Sequence, residues 1–369
     1  MRYESDDRDA GLPEELPVWE DIDPSHDGLS ALGLTPSQIK QIWRRKGDVT
    51  VEVPKKDGGT RVCSGPNATQ KMLSMSLLVH LMGVHDSGIR QWSEAAFGFV
   101  PGHGNIDMAH AMEGWMREQT GDITVAYCDL KGAFGAVTVK QVRSVLLRAG
   151  LTGQKLELAV RLTTRPDPES GRMVLTTGNP VSPLILNAAL LDLDDRLMKL
   201  ARGRGGYYAR YADDLVISGL GRKGRSLKSQ LTQTIRDAGF TPHPKKQGVT
   251  TSCVRKTAPQ YICVEVVGVM VERTAYRRRP DGAYTTQRKV APRRLRRRIR
   301  AMRHRGHTVE SRPLMGRVRY ARACRSWSRP KPEFVLETAS EQVASNHRSL
   351  LARRQRRRNS QGHQSGARH

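Results

Sequence analysis

No Cys-x-x-Cys spacing occurs in this chain, whose five cysteines stand at 63, 128, 253, 263 and 324. That pattern offers no zinc framework and reads as free thiols in a reducing compartment. Long apolar runs are missing as well. No stretch approaches the ~18 apolar residues of a membrane-crossing helix, and the acidic N-terminus lacks the apolar core of a signal peptide. The expectation is a soluble, cytoplasmic protein without a membrane partner. Hydrophobic residues make up 37% of the chain, which is low but sufficient for a core. Negative charge is in short supply: 36 Asp and Glu face 62 Lys and Arg, for a net +26 and a pI of about 10.5. An excess of that size repels itself in a bare globule and implies a polyanionic partner. A basic tail on an unrelated enzyme is the competing account. There is no internal repeat, and 369 residues suit two or three modest domains or one chain with several subdomains.

What the chain does contain is organised around Tyr211-Ala212-Asp213-Asp214. The β-favouring run from Tyr207 is broken by the two acids and resumes as Leu215-Val216-Ile217, which predicts a hairpin with carboxylates at its tip. At a turn, the strict alternation of a strand relaxes and both acids can approach one point. Like charges that close repel each other unless a dication lies between them. Alone, the pair is also what an ordinary acidic turn looks like.

Upstream, residues 1–30 are acidic and carry Pro13, Pro17 and Pro24, predicting a poorly ordered arm with Trp19 as its one docking residue. Thr35-Pro36 reads as the start of a helix carrying Ile39, Ile42 and Trp43. Val49 to Pro54 and Thr60 onward form a hairpin, with Lys56 at its tip and Arg61 on its return strand. Helices are expected after Pro66 and over Ile106–Glu118. Thr124 to Leu130 reads as a buried strand ending in Asp129, a costly place for an acid unless a cation receives it. Ser182 and Pro183 are expected as N-cap and first residue of one leucine-rich helix. Asp192, Asp194 and Asp195 on it are expected to be solvated, since i and i+2 do not share a helix face. After the hairpin, a helix should run from Lys228 to Ala238. A loop then presents Lys245 and Lys246, and a strand or hairpin follows around Gly268. Pro292 to Met302 then reads as a helix carrying Arg293, Arg294, Arg296, Arg297, Arg298 and Arg300, and a second is expected from Arg312 to Trp327.

The order Asp129-Leu130-Lys131-Gly132-Ala133-Phe134, Gly178-Asn179-Pro180-Val181-Ser182-Pro183, Tyr211-Ala212-Asp213-Asp214 resembles bacterial retron-type and defence-associated reverse transcriptases over roughly residues 35–325. The chain differs from many members at Thr177, at Val266-Val267-Gly268, and in having only Asn105 and His110 before the first catalytic strand. The resemblance implies an α+β, right-hand polymerase with fingers, a palm of antiparallel sheet plus helices, and a helical thumb. Mapped onto this chain, it gives an acidic arm over 1–30, fingers over 31–123, and a palm over 124–275 with a fingers insertion about 140–175. A basic thumb over 276–330 and a disordered basic tail over 331–369 follow.

It further implies RNA-directed DNA synthesis with two Mg2+ ions, Mn2+ being the alternative. Asp129, Asp213 and Asp214 would be the metal ligands, with the backbone carbonyl of Leu130. Lys56 and Arg61 would meet the incoming phosphates, Phe134 would gate the sugar, and Gly178 would lie close under the base pair. Lys245 or Lys246 would protonate the leaving pyrophosphate, and Gly268 would belong to the primer grip. The implied partners are dNTPs, a dedicated structured RNA as template, its RNA–DNA hybrid, and an effector protein in antiphage defence. Priming from the same RNA is one option. A maturase-like RNA-binding scaffold and untemplated or protein-primed nucleotide addition are the alternatives on the same fold.

Overall fold

Two helices begin in the same way, and their starts show how locally this chain dictates structure. Thr35 accepts from the Gln38 N–H while the Gln38 side chain accepts from the Thr35 N–H, and Thr138 and Gln141 repeat the arrangement. Each capping box satisfies two amide donors that the first helical turn leaves open. The structure, a computed structural model, describes residues 15–44, 49–54, 60–83, 93–119, 121–167, 170–255, 258–266, 269–274 and 285–290.

In chain order, α1 (His26–Ala31) and α2 (Pro36–Trp43) precede the hairpin β1 (Val49–Pro54) and β2 (Thr60–Gly65). Then come α3 (Ala68–Gly83), α4 (Asn105–Glu118), β3 (Ile123–Leu130) and the single turn α5 (Ala133–Ala136). Next are α6 (Val139–Arg148), α7 (Gly153–Thr163), the short hairpin β4 (Thr164–Pro166) and β5 (Met173–Leu175), α8 (Ser182–Ala189) and α9 (Leu191–Arg202). The hairpin β6 (Tyr208–Tyr211) and β7 (Asp214–Leu220) leads to α10 (Gly224–Asp237) and β8 (Pro242–Thr251). Last are β9 (Cys253–Arg255), β10 (Ala258–Val266), β11 (Val269–Thr274) and β12 (Thr285–Val290).

The described residues divide into two units. One comprises residues 15–83 and 134–189. In it α3 and α2 pack on α7, and α6 packs on α7 and α8. The acidic N-terminal segment is folded onto this unit from Glu15 onward, which corrects the expectation of a loose arm for residues 15–30. Trp19 is buried, Ser76 donates to the Pro17 carbonyl, and His80 meets Glu20 at 2.6 Å. Buried apolar area of this kind contributes roughly 25 cal/mol per Å2, enough to outweigh a few exposed acids. The glycine loop is tied down by side chains: Asn179 donates to Ser74 Oγ and to the Leu162 carbonyl, and Thr176 donates to the Ser64 carbonyl. Asn179 also accepts from the Val181 N–H, so it caps the helix entrance. Ser182 is already inside α8 and buried, so the cap expected at Ser182 lies three residues earlier.

The other unit comprises residues 93–133 and 190–290. Its main sheet has the order β6-β7-β3-β8 with every neighbouring pair antiparallel. Helices α9 and α10 lie against this sheet, and α4 contributes Met108, Met112 and Met116 to a core with Ile123, Val125, Ala209 and Val216. A second sheet, β12-β11-β10-β9, lies beside α4 through β11 and β12.

Three further expectations are corrected. The leucine-rich run is two helices broken at Leu190, not one. Lys245 and Lys246 fall within the bounds of strand β8 and not in a loop, although they lie between Pro242 and Gln247, where the register with β3 shifts. Arg288 belongs to strand β12 opposite Val271, so residues 285–290 of the expected helical thumb are strand. The β-favouring Thr285-Thr286 and Val290 satisfy the open edge of β11, while the helix expected from Pro292 lies outside the described residues.

Candidate active site

The hairpin expected at Asp213-Asp214 forms, with Tyr211 opposite Asp214 and Ala212-Asp213 as the turn. Pairing of β7 with β3 then brings the distant acid in: Asp129 and Asp214 are register partners, directly opposite each other. Opposed residues of an antiparallel pair share a face with Cβ atoms about 4.5–5.5 Å apart. The Leu130 N–H donates to the Asp213 carbonyl at 2.9 Å, which locks the turn to the end of β3. On the other side of β3, β8 delivers Lys246, whose Nζ donates to Asp129 Oδ2 at 2.9 Å.

The electrostatics follow from this crowding. Burial, then Asp213 and Asp129, push the Asp214 carboxyl up to about 6, with Lys246 pulling the other way. The hydrogen bond to Asp129 in turn raises the Lys246 ammonium. Cys128, next to Asp129, is pushed up by burial and is an inert core thiol. Among the described residues, no three His, Cys, Asp or Glu side chains converge as a ready metal cage. What stands there is three carboxylates, two of which raise the proton affinity of Asp214, with an ammonium group on the most buried of them, Asp129. That oxygen-only, mutually repelling donor set suits a hard divalent cation, for which the ammonium is a partial substitute.

Asp129, Leu130, Asp213, Asp214 and Lys246 are thus brought together. Lys245 and Lys246 both donate their backbone N–H groups to His243 Nδ1 at 3.2 Å, in the part of β8 where the register with β3 shifts, and of the two it is Lys246 that is hydrogen-bonded to Asp129. Arg61, Phe134 and Gly178 belong to the other unit. Arg61 stands opposite Val53 in the β1–β2 pair, and Phe134 lies in α5 with its carbonyl accepting from the Val137 N–H. A side chain at Gly178 would put its Cβ 2.6 Å from Gly65 Cα and into the Ser64 carbonyl, so only glycine lets β2 pass this close. Lys56, Gly268 and the six arginines from Arg293 to Arg300 lie outside the described residues.

Sequence reasoning missed Asp194, Tyr208 and Arg210. Asp194 was expected in solvent but is fully buried, as is Arg210, with which it pairs at 2.7 Å. The signal was present. Leu190, Leu193, Leu197 and Ala201 mark the buried stripe, and Asp194 stands three and seven residues before the last two, on that stripe. Burial, then Asp194, hold the Tyr208 hydroxyl well above the usual phenol range, so it remains a donor.

The family model for reverse transcriptase (RNA-dependent DNA polymerase) matches residues 53–271, more than half of the chain. The chain belongs to the reverse transcriptase family. The α+β class, with the antiparallel sheet and helices of a right-hand polymerase, is the family's. The chain is 30% identical over 268 residues to the retron Mx162 reverse transcriptase of Myxococcus xanthus, covering 64% of this chain and 52% of that protein. To the retron Mx65 reverse transcriptase of the same organism it is 32% identical over 225 residues, 55% of this chain and 48% of that one. The retron Ec83 reverse transcriptase of Escherichia coli is 24% identical over 190 residues, 50% and 56% of the two chains. The chain therefore spans about half the length of the curated relatives it matches. A solved apo telomerase from Candida tropicalis, truncated from its C-terminal domain, aligns with a TM-score of 0.42 and 10% identity over 60% of this chain and 52% of that one. That likeness is too loose to bear on the fold.

Proposed function

We propose that the chain is an RNA-directed DNA polymerase that extends a primer along a structured RNA, using dNTPs and Mg2+. The reading is carried by one observation: Asp129 pairs in register with Asp214 beside Asp213, and Lys246 donates to Asp129 from the next strand. Asp129, Asp213, Asp214 and the Leu130 carbonyl would hold two divalent ions. When bound, such ions supply a lowered pKa at the attacking 3′-hydroxyl and charge neutralisation at the triphosphate. The chain's own residues do the rest. Lys246, more than half exposed, offers a mobile cation and a proton at the mouth of the site, suited to the departing pyrophosphate. Arg61 and Lys56 would meet phosphate oxygens, and Phe134 would exclude a ribose 2′-hydroxyl. A dedicated non-coding RNA, an effector protein and an antiphage role belong to the same reading and rest on the likeness to retron reverse transcriptases.

The test is dNTP incorporation on a primed RNA with Mg2+. Asp213→Asn or Asp129→Asn should abolish it while RNA binding stays nearly intact, because a metal ligand is lost and the basic surface is not. Incorporation within about tenfold of wild type, roughly 1.4 kcal/mol in the barrier, would overturn the assignment.

A further inference from the structure

The turn that carries Asp213 is gripped from beneath by an ion pair with no solvent exposure. Arg210 Nε donates to Asp194 Oδ1 at 2.8 Å and Nη2 donates to Oδ2 at 2.7 Å, a two-pronged fit. Tyr208 donates its hydroxyl to Asp194 Oδ1 at 2.7 Å. The remaining guanidinium nitrogen, Nη1, leaves the pair and donates to the Ala212 carbonyl at 3.0 Å.

Ala212 is held in a conformation that a side chain resists. Its φ is +57°, in the left-handed region where an L-residue pays for the contact between Cβ and its own backbone. Such conformations persist where the surroundings over-determine them, and they cluster at functional sites. Here the surroundings are explicit. The Phe97 N–H donates to the Arg210 carbonyl and the Arg210 N–H to the Ala95 carbonyl, both at 2.7 Å, so residues 95–97 clamp β6. A Cβ on Gly98 would overlap the Ala212 amide and come within 2.9 Å of the Tyr211 carbonyl carbon. From the other side the Leu130 N–H holds the Asp213 carbonyl.

Stability does not explain this arrangement. Desolvation of a buried ion pair offsets most of its attraction, and an apolar pair of similar volume serves a core as well or better. What an apolar pair could not do is hold the carbonyl one residue before Asp213. We infer that Arg210, oriented by Asp194 and Tyr208, is a positioning residue that sets the Ala212–Asp213 turn so that Asp213 and Asp214 face Asp129 as a divalent cation requires. The inference rests on the polymerase reading for the identity of the cation's task, but its metal-binding consequence is independent of that reading.

The test uses the full chain with Asp194→Leu/Arg210→Met together, and separately Arg210→Lys. Thermal unfolding, Mn2+ binding by electron paramagnetic resonance, primer–template Kd and kcat are measured. The apolar pair should leave the fold intact. It should weaken Mn2+ binding about tenfold and lower kcat by about tenfold or more, as misplaced reacting groups do, without changing primer–template Kd. Arg210→Lys keeps the charge, but its single nitrogen lacks the planar fork that grips both Asp194 oxygens while reaching the Ala212 carbonyl, so it should show the same weakening. It decides the matter if the double variant does not fold. A folded variant whose Mn2+ affinity and kcat stay within about twofold of wild type would reduce the pair to core filling and overturn the inference. Wild-type protein that binds Mn2+ but incorporates no nucleotide would refute the polymerase reading and leave the positioning role to the Mn2+ titration. Wild-type protein that binds no Mn2+ would overturn both.

Discussion

At the scale of single residues, Lys246 joins chemistry to stability. Its ammonium group is 56% exposed, but the Asp129 side chain it meets is only 9% exposed, and removing the ammonium leaves that buried charge uncompensated. Lys246→Met should therefore lower the unfolding midpoint, and its rate is read on folded protein. If the ammonium serves the departing pyrophosphate, kcat should fall by about tenfold or more at unchanged primer–template affinity, with partial recovery in Lys246→Arg. Single-turnover incorporation is the measurement, and an unchanged rate would return Lys246 to the role of a counter-charge. Of the two lysines that the sequence left undivided, only the tertiary structure chose between them. Both lie where the register of β8 against β3 shifts, and nothing local to Lys245-Lys246 says which one meets Asp129. Asp194 was legible in principle, since its spacing from Leu197 and Ala201 put it on the buried stripe of α9. Its partner was not, because Arg210 lies sixteen residues on, across a change from helix to strand.

Among the elements, the glycine loop offers the clearest test of tertiary constraint. Gly178→Ala would drive a methyl group into the Ser64 carbonyl of β2, and overpacking of this kind costs roughly 1–3 kcal/mol. Gly114 is the internal control. It lies within α4, where an added methyl group would meet nothing within 4 Å, so Gly114→Ala should stabilise by about 0.5–1 kcal/mol. Thermal unfolding of both variants should move in opposite directions. A Gly178→Ala protein as stable as wild type would mean that β2 gives way at little cost. Element existence was largely readable, because capping boxes at Thr35 and Thr138, the alternation of β1 and the continuous apolar run of β3 are written within a few residues. The errors fell where a neighbour overrode local preference: the cap at Asn179, the break at Leu190, and strand β12 drawn onto the edge of β11.

For the molecule as a whole, the net charge of +26 is the dominant fact, and most of the C-terminal arginines lie outside the described residues. Their crowding is unfavourable by a few tenths of a kcal/mol per like-charged pair if they form the expected helix. A phosphate backbone would reverse that sign. Each contact it neutralises adds about −0.9 to the slope of log K against log salt for duplex DNA, and about −0.7 for single strands. Arg294→Ala with Arg297→Ala should therefore weaken RNA binding and flatten its salt dependence while leaving the Mg2+ requirement unchanged. Equilibrium binding at several salt concentrations tests this, and an unaltered slope would locate the nucleic acid elsewhere.

The sequence alone determined the local vocabulary of this protein: which runs become helices and strands, where two acids meet a turn, and the motif order that marks the family. Those features depend on steric preferences and hydrogen bonds within a few residues, so they survive without the rest of the chain. Only the tertiary structure decided that Asp129 lies opposite Asp214, that Lys246 and not Lys245 reaches it from 117 residues away, and that Asp194 is buried against Arg210. Register is chosen by the simultaneous burial of both sheet faces. That choice is made by α4, α9 and α10 packing on the sheet, and no single stretch of sequence contains it.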